Sequence, residues 1–254
     1  MELKMPVFRF MLSGAAFATA CLPWSASAQP AGVEAKADTV LRAMTTYMTS
    51  LKQFVVHTEN SLEAVTAEGQ KIQFVAPAAL TVARPDKLKA ERRGDVVEQS
   101  FFYDGKTLTL FNPGTKHYAK VPAPATIDAM LEFAKTKLDV VAPGSDLVDT
   151  RAYDKLMQDV KSGTYVGLEV VGGQRCHHLA YRGVEVDWQL WVREGVQPLP
   201  CRYVITSKGV VGSPQFTMQV VTVNTKPAIA VGMFRFVPPA GAKAVEFLPP
   251  TAPR

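Results

Sequence analysis

The chain has 254 residues, 47% of them hydrophobic and 20% charged, with a formal net charge of +5. That length suits one β-rich domain, and so modest and scattered a positive charge leaves no electrostatic footprint for nucleic acid. Three cysteines and four histidines leave little material for a metal-rich scaffold.

The first thirty residues have the pattern of an export signal. Lys4 and Arg9 precede an apolar run from Phe10 to Leu22, and Ser25-Ala26-Ser27-Ala28 follows. Small side chains at Ala26 and Ala28 suit signal peptidase, which places cleavage after Ala28. The run is short of the roughly 20 residues that a permanent bilayer span needs. Two alternatives remain: an uncleaved anchor, and acylation at Cys21 in the sequence Ala18-Thr19-Ala20-Cys21. Residues 1–28 are therefore expected to be a signal peptide, 29–245 a single domain and 246–254 a Pro-rich tail. Loss of Glu2, Lys4 and Arg9 lowers the net charge from +5 to +4.

Ala37, Val40, Leu41, Met44, Tyr47, Met48 and Leu51 recur at helical spacing and predict one amphipathic helix. From Phe54 the period shortens to two. Strands are expected over Phe54–Val65, over Lys71–Val75 with Leu80–Ala83 after an interruption at Pro77, and over Leu88–Arg93. The basic stretch from Lys87 to Arg93 reads as solvated strand or loop charge, with a contact patch for an anionic partner as the alternative. Phe101–Tyr103 and Thr107–Phe111 flank Asp104-Gly105, a hairpin signal whose mirror-image turn needs positive φ at both positions. His117–Val121 is the next strand.

Ile127, Met130, Leu131, Ala134 and Leu138 share a helical face behind Thr126 as N-cap, and a shorter helix runs from Tyr153 to Val160. This helical segment lies between two blocks of strands and reads as an insertion into a sheet. A meander follows over Thr164–Val171, Arg175–Tyr181, Val184–Val192, Arg202–Ser207 and Gln215–Asn224, with Met233–Val237 closing. Val186, Trp188 and Leu190 fall on one face of their strand, with Asp187 and Gln189 on the other.

Cleavage after Ala28 would leave Cys176 and Cys201, an even count in an oxidising compartment, which favours a disulfide. A plain meander opposes it. Two strand spacings are about 9.5 Å, and a bridge needs Cα atoms closer than about 7 Å. Either the strand order is not plain, or Leu199-Pro200 carries Cys201 across a strand end.

The sequence has no nucleophile elbow, no H-E-x-x-H and no phosphate-cradling glycine loop. His177 and His178 are adjacent, so a strand would turn them to opposite faces. Glu185 and Asp187 read as the wet side of a strand. No catalytic residue, metal or cofactor is expected. Large apolar side chains, by contrast, alternate along the strands. Phe54, Val56, Phe74, Phe101, Tyr103, Leu108, Leu110, Val186, Trp188, Leu190, Phe216 and Met218 are the candidate lining of an apolar cavity, with Met130 and Leu131 from the covering helix.

Several phrases carry a family resemblance: Cys176-His177-His178-Leu179, Asp187-Trp188-Gln189-Leu190-Trp191-Val192, Pro198-Leu199-Pro200-Cys201-Arg202, and Phe234-Arg235-Phe236-Val237-Pro238-Pro239-Ala240-Gly241-Ala242. Together they resemble a family of predicted periplasmic proteins, a domain of unknown function, related to the LolA/LppX-like lipoprotein carriers. The resemblance implies an α+β fold: a curved antiparallel sheet, or incomplete β-barrel, with a helical lid. It also implies a periplasmic protein that binds a hydrophobic small molecule, a lipid or an acylated protein without catalysis, with transient membrane or envelope-protein contact. The alternative is an envelope interaction or sensor protein that docks through the same fold and carries nothing.

Overall fold

The computed structural model describes residues 32–94, 98–140 and 142–247; the expected signal peptide, Cys21 and residues 248–254 lie outside them. The first half of the chain is helix α1 (Ala35–Ser50) followed by strands β1 (Gln53–Val65), β2 (Lys71–Ala83), β3 (Lys87–Arg93), β4 (Glu98–Tyr103), β5 (Thr107–Asn112) and β6 (His117–Pro122). A helical crossover then contains α2 (Ile127–Leu138), a single 3-10 turn (Ser145–Leu147) and α3 (Ala152–Met157). The second half is β7 (Val160–Val171), β8 (Gln174–Gly183), β9 (Val186–Arg193), β10 (Pro200–Ser207), β11 (Gln215–Asn224) and the short β12 (Lys243–Val245).

All of these strands join one open, curved sheet in the order β12-β6-β5-β4-β3-β2-β1-β11-β10-β9-β8-β7. It consists of two antiparallel meanders joined where β1 pairs with β11, and only β12 runs parallel to its neighbour. The crossover must therefore pass from β6, beside one edge, to β7 at the opposite edge. It does so across the concave face, where Ile127, Met130 and Ala134 of α2 and Leu156 of α3 pack with Leu41 and Met44 of α1 over Phe54, Tyr103, Leu108, Trp188 and Leu190. Pairing irregularities at His57/Thr58, at two points between β7 and β8, and beside Cys201 interrupt the ladders. Such bulges bend a strand and sharpen its twist.

Local chemistry explains each end of the crossover. Thr126 caps α2 by accepting a hydrogen bond from the Ala129 amide at 3.2 Å. Asp128 accepts from the amide and the hydroxyl of Thr150, tying the start of α2 to the chain that enters α3. At the other end Arg42 donates to Asp38 at 2.8 Å and to the Tyr153 hydroxyl at 2.6 Å, and the guanidinium sits 3.8 Å from the Tyr153 ring centroid. Burial, reinforced by the bond to Asp38, pushes the Tyr153 hydroxyl up to about 12, so it remains a donor at any physiological pH.

The structure differs from the expected elements at several places, among them Val160, expected in the second short helix, which instead opens β7 after α3 ends at Met157. β2 runs unbroken through Pro77, because β3 pairs only with Ala78–Ala83 and leaves residues 71–77 bonded to β1 alone. A proline is tolerated on such an edge. β9 begins at Val186, and Val184 lies in the preceding turn. At Asp104-Gly105 only the glycine has positive φ; Asp104 closes the turn through its side chain, which accepts from the amides of Lys106 and Thr107. Met233–Val237 forms turns rather than a strand. Its apolar alternation serves a different purpose: Phe236 lies 5.1–5.3 Å from the rings of Tyr118, Phe111 and Phe102, covering the convex side of β4–β6.

The disulfide between Cys176 and Cys201 forms, with Cα atoms 6.8 Å apart, although β9 does lie between β8 and β10. Cys176 is opposite Arg193, the last residue of β9. Cys201 is the extra residue between the Pro200–Val192 and Arg202–Trp191 pairs, so a bulge carries it around the end of β9. Gly163 is fixed by a separate constraint. A Cβ there would come within 2.4 Å of the Tyr181 ring, which stacks on Trp188 at a centroid distance of 4.0 Å.

Two stability changes follow. Reducing the bridge, whose cysteines are 25 residues apart, is expected to lower unfolding free energy by about 3 kcal/mol in a urea titration. Gly163→Ala is expected to cost about 1–3 kcal/mol in the same assay by displacing Tyr181 from Trp188.

Candidate functional site

Residue register determines which side chains face the lid. Phe54 pairs through Val82 and Leu88 to Tyr103 and Leu108, and Val56 pairs through Leu80 and Ala90 to Phe101 and Leu110. Leu62 pairs with Phe74 on one side and with Phe216 on the other, and Phe216 leads through Ile205 to Trp188. Asn60 connects in the same way through Met218 and Tyr203 to Leu190, and Val186 lies opposite Ser207. Phe54, Val56, Asn60 and Leu62 alternate along β1, so all twelve strand candidates occupy the same face of the sheet.

That face has two regions. Phe54, Tyr103, Leu108, Leu190 and, from α2, Met130 are fully buried beneath the helices, with Val56 and Met218 half-buried against them. This region is packed core. Beyond it, a cavity of about 620 Å³ lies between the sheet and the crossover, and Phe101, Leu131, Val186, Trp188 and Phe216 line it. Leu110 is half-buried between Phe101 and Ala119 outside this lining, and Phe74, 38% exposed, continues the face toward the β1–β2 turn.

The floor also includes Leu62, Tyr203 and Ile205, which the sequence reading did not select. Tyr203 and Ile205 alternate with the polar Arg202 and Thr206 on β10, so strand parity could have found them. The lid residues Val140, Ala142, Pro143, Asp146 and Asp149 had no such signal, because residues 139–151 have no regular period. Gly144 turns this segment at φ +83°, a conformation that a residue with Cβ adopts only under strain. Its α-carbon lies over the floor: a Cβ there would reach Met218 at 3.8 Å and Tyr203 at 3.9 Å.

The rim of the cavity is charged. Glu63 accepts from the Gln215 amide at 2.9 Å and from Lys71 at 3.2 Å, and these bonds hold its carboxyl below the usual carboxylate range. Glu132 is held low in the same way by Lys155 at 3.1 Å. Asp146 is shifted in the opposite direction: burial raises its pKa, and the fields of Lys135 and Lys155 only partly offset that. Tyr203, 3% exposed, is also raised by burial, with the charge of Asp146 adding to the effect.

The histidines lie elsewhere. His177 and His178 face opposite sides of β8. His177 meets the Tyr165 hydroxyl at 3.0 Å, and His178 lies between Glu169 and Gln189, each at 2.9 Å, with its ring stacked on Trp191. Asp187 is paired with Lys208 at 2.9 Å, whereas Glu185 is at the cavity rim. Among the described residues, no group of three or more His, Cys, Asp or Glu side chains could hold a metal ion.

A group that is more acidic unfolded than folded makes the protein less stable as it ionises. Asp146 has this sign, so its cost is absent at low pH and appears as pH rises through the carboxylate range. Asp146→Asn is expected to raise the melting temperature of the ligand-free protein at pH 7, with the difference shrinking as pH is lowered toward 3.

Searched by sequence, curated proteins give no match. Among solved structures, LprF from Mycobacterium bovis is similar at 13% identity and a TM-score of 0.49, covering 78% of this chain and 97% of its own. LppX from Mycobacterium tuberculosis is similar at 11% identity and 0.42, covering 77% and 98%. A putative outer-membrane lipoprotein-sorting domain from Vibrio parahaemolyticus is similar at 9% identity and 0.35, covering 78% and 97%. The family profile matches residues 37–248, from the first buried turn of α1 through the last described residue, 247: the protein belongs to the DUF2092 family of predicted periplasmic proteins.

Proposed function

We propose that this protein binds one hydrophobic or amphiphilic ligand in the periplasm and performs no chemistry on it. The supporting observation is the cavity of about 620 Å³ between an apolar strand floor and a crossover lid. Its size falls within the roughly 300–1,000 Å³ typical of small-molecule sites. Binding would remove apolar ligand surface from water, worth about 25 cal/mol per Å² before the costs of association and ordering. Among the described residues, none lining the cavity is a histidine, cysteine or serine paired with a base. The ligand is a lipid, the acyl chain of a modified protein or another apolar small molecule. Residues 1–28 serve as a cleaved export signal, with anchoring through Cys21 as the alternative.

Envelope docking with nothing carried is the second reading. It is favoured by Ile72 and Phe74, exposed 40% and 38%, which extend the apolar face beyond the cavity from Leu62 on its floor. The same face would give a carrier its transient membrane or envelope-protein contact.

The test is mass spectrometry of protein recovered from the periplasm without detergent, first native and then denatured. A bound mass that is lost on denaturation and extracts into organic solvent is expected. Phe216→Glu and Leu131→Glu, both at half-buried lining positions, should each abolish that mass while leaving the circular dichroism spectrum unchanged. A bare native mass from the wild-type protein would favour docking instead.

A further inference from the structure

Resting on the cavity reading above, we propose that the ligand carries a positively charged, N–H-donating head, as in a long-chain amine or an amine-bearing lipid, and that Asp146 and Tyr203 receive it. The chain as a whole is cationic, yet the cavity lining has six carboxylates against two lysines. Three of the carboxylates are neutralised within the protein: Glu63 by Lys71 at 3.2 Å, Glu132 by Lys155 at 3.1 Å and Asp149 by Arg151 at 3.8 Å. Asp146, Asp159 and Glu185 have no ion pair among the described residues, and Lys135 is the one lining cation without one. The remaining imbalance is negative.

Tyr203 is a second, independent observation. It is 97% buried, its side chain lines the cavity, and among the described residues its hydroxyl makes no hydrogen bond. Its hydroxyl is not among the fully buried unpartnered atoms, so the small surface that Tyr203 keeps includes an oxygen open to the cavity, and Val204 and Ile205 beside it show that β10 accepts apolar residues. Gly144 lies over the Tyr203 ring, Asp146 follows two residues later and its charge acts on the Tyr203 hydroxyl, so the hydroxyl and the carboxylate lie at the same end of the cavity. A carboxylate and a phenol oxygen together offer acceptors to an ammonium, whose hydrogen bonds to a carboxylate are charge-assisted. A carboxylate or phosphate head would meet the same oxygens with like charge. Leu62, Trp188, Ile205 and Phe216 supply the apolar surface for the chain behind the head.

The experiment is titration calorimetry of the mature protein with dodecylamine, dodecanoate and dodecylphosphocholine, each below its micellisation concentration. These probes share one chain and differ in head charge. Dodecylamine should bind about tenfold or more tightly than dodecanoate, with the zwitterion between them. Asp146→Asn should bring the amine-to-carboxylate ratio close to one, and Glu185→Gln, at an exposed position that cannot unfold the sheet, should reduce it by a smaller factor. Tyr203→Phe should weaken the amine more than dodecanoate. Equal or tighter binding of dodecanoate, or a ratio unchanged by Asp146→Asn, overturns the assignment of the head and leaves the cavity function standing. Failure of all three probes to bind overturns the binding function, and this inference with it.

Discussion

The pairing of β1 with β11 is the constraint on which the rest of the structure depends. It joins the first strand of one meander to the last long strand of the other, so the two halves form one sheet with both outer edges far from the seam. The chain between β6 and β7 must then travel from one side of the sheet to the other. A curved sheet offers a short route only across its hollow, and amphipathic α2 takes it with its apolar stripe facing down. The lid is thus a consequence of strand order. The cavity is what remains where the crossover, after the end of α2, becomes too irregular to pack.

Most of the fold was legible because its signals are local. Alternation along β1, β9 and β11 identified the helix-facing side chains without any knowledge of strand order, since period two fixes the face. The stripe on α2 and its Thr126 cap were equally plain. What could not be read was where the face stops being core and becomes cavity. Leu190 and Trp188 are two residues apart on the same face of one strand, yet only Trp188 lines the cavity, because the difference lies in where the lid descends. The disulfide illustrates the same limit. Cysteine parity favoured it and strand spacing opposed it, and the deciding feature was a single bulged residue, Cys201, which no periodicity reveals. Phe234 and Phe236 alternate like a strand but serve as plugs on the outer face.

The polar chemistry is distributed unevenly. Where α1 meets α3, the nearby Tyr181 hydroxyl is buried without a partner among the described residues, whereas Asp38, Arg42 and Tyr153 satisfy one another. On the outer face Glu169, His178, Gln189 and Trp191 do the same beside the disulfide. At the cavity the side chains of Asp146 and Tyr203 make no hydrogen bond among the described residues, and burial raises the pKa of both. The desolvation of Asp146 is a local cost that an amide or apolar residue at that position would not carry.

Residues 55–62 find their partners in residues 216–224, so the first strand of the sheet cannot be completed until nearly the whole chain has been made. Phe236 then reaches the outer side of β4–β6 from still further along. Contacts of such long sequence separation form late and slowly. The consecutive hairpins on either side can pair as they are made, but the seam between the two halves waits for residues 216–224. The topology that builds the lid therefore also makes the seam beneath it the last long ladder of the sheet to close.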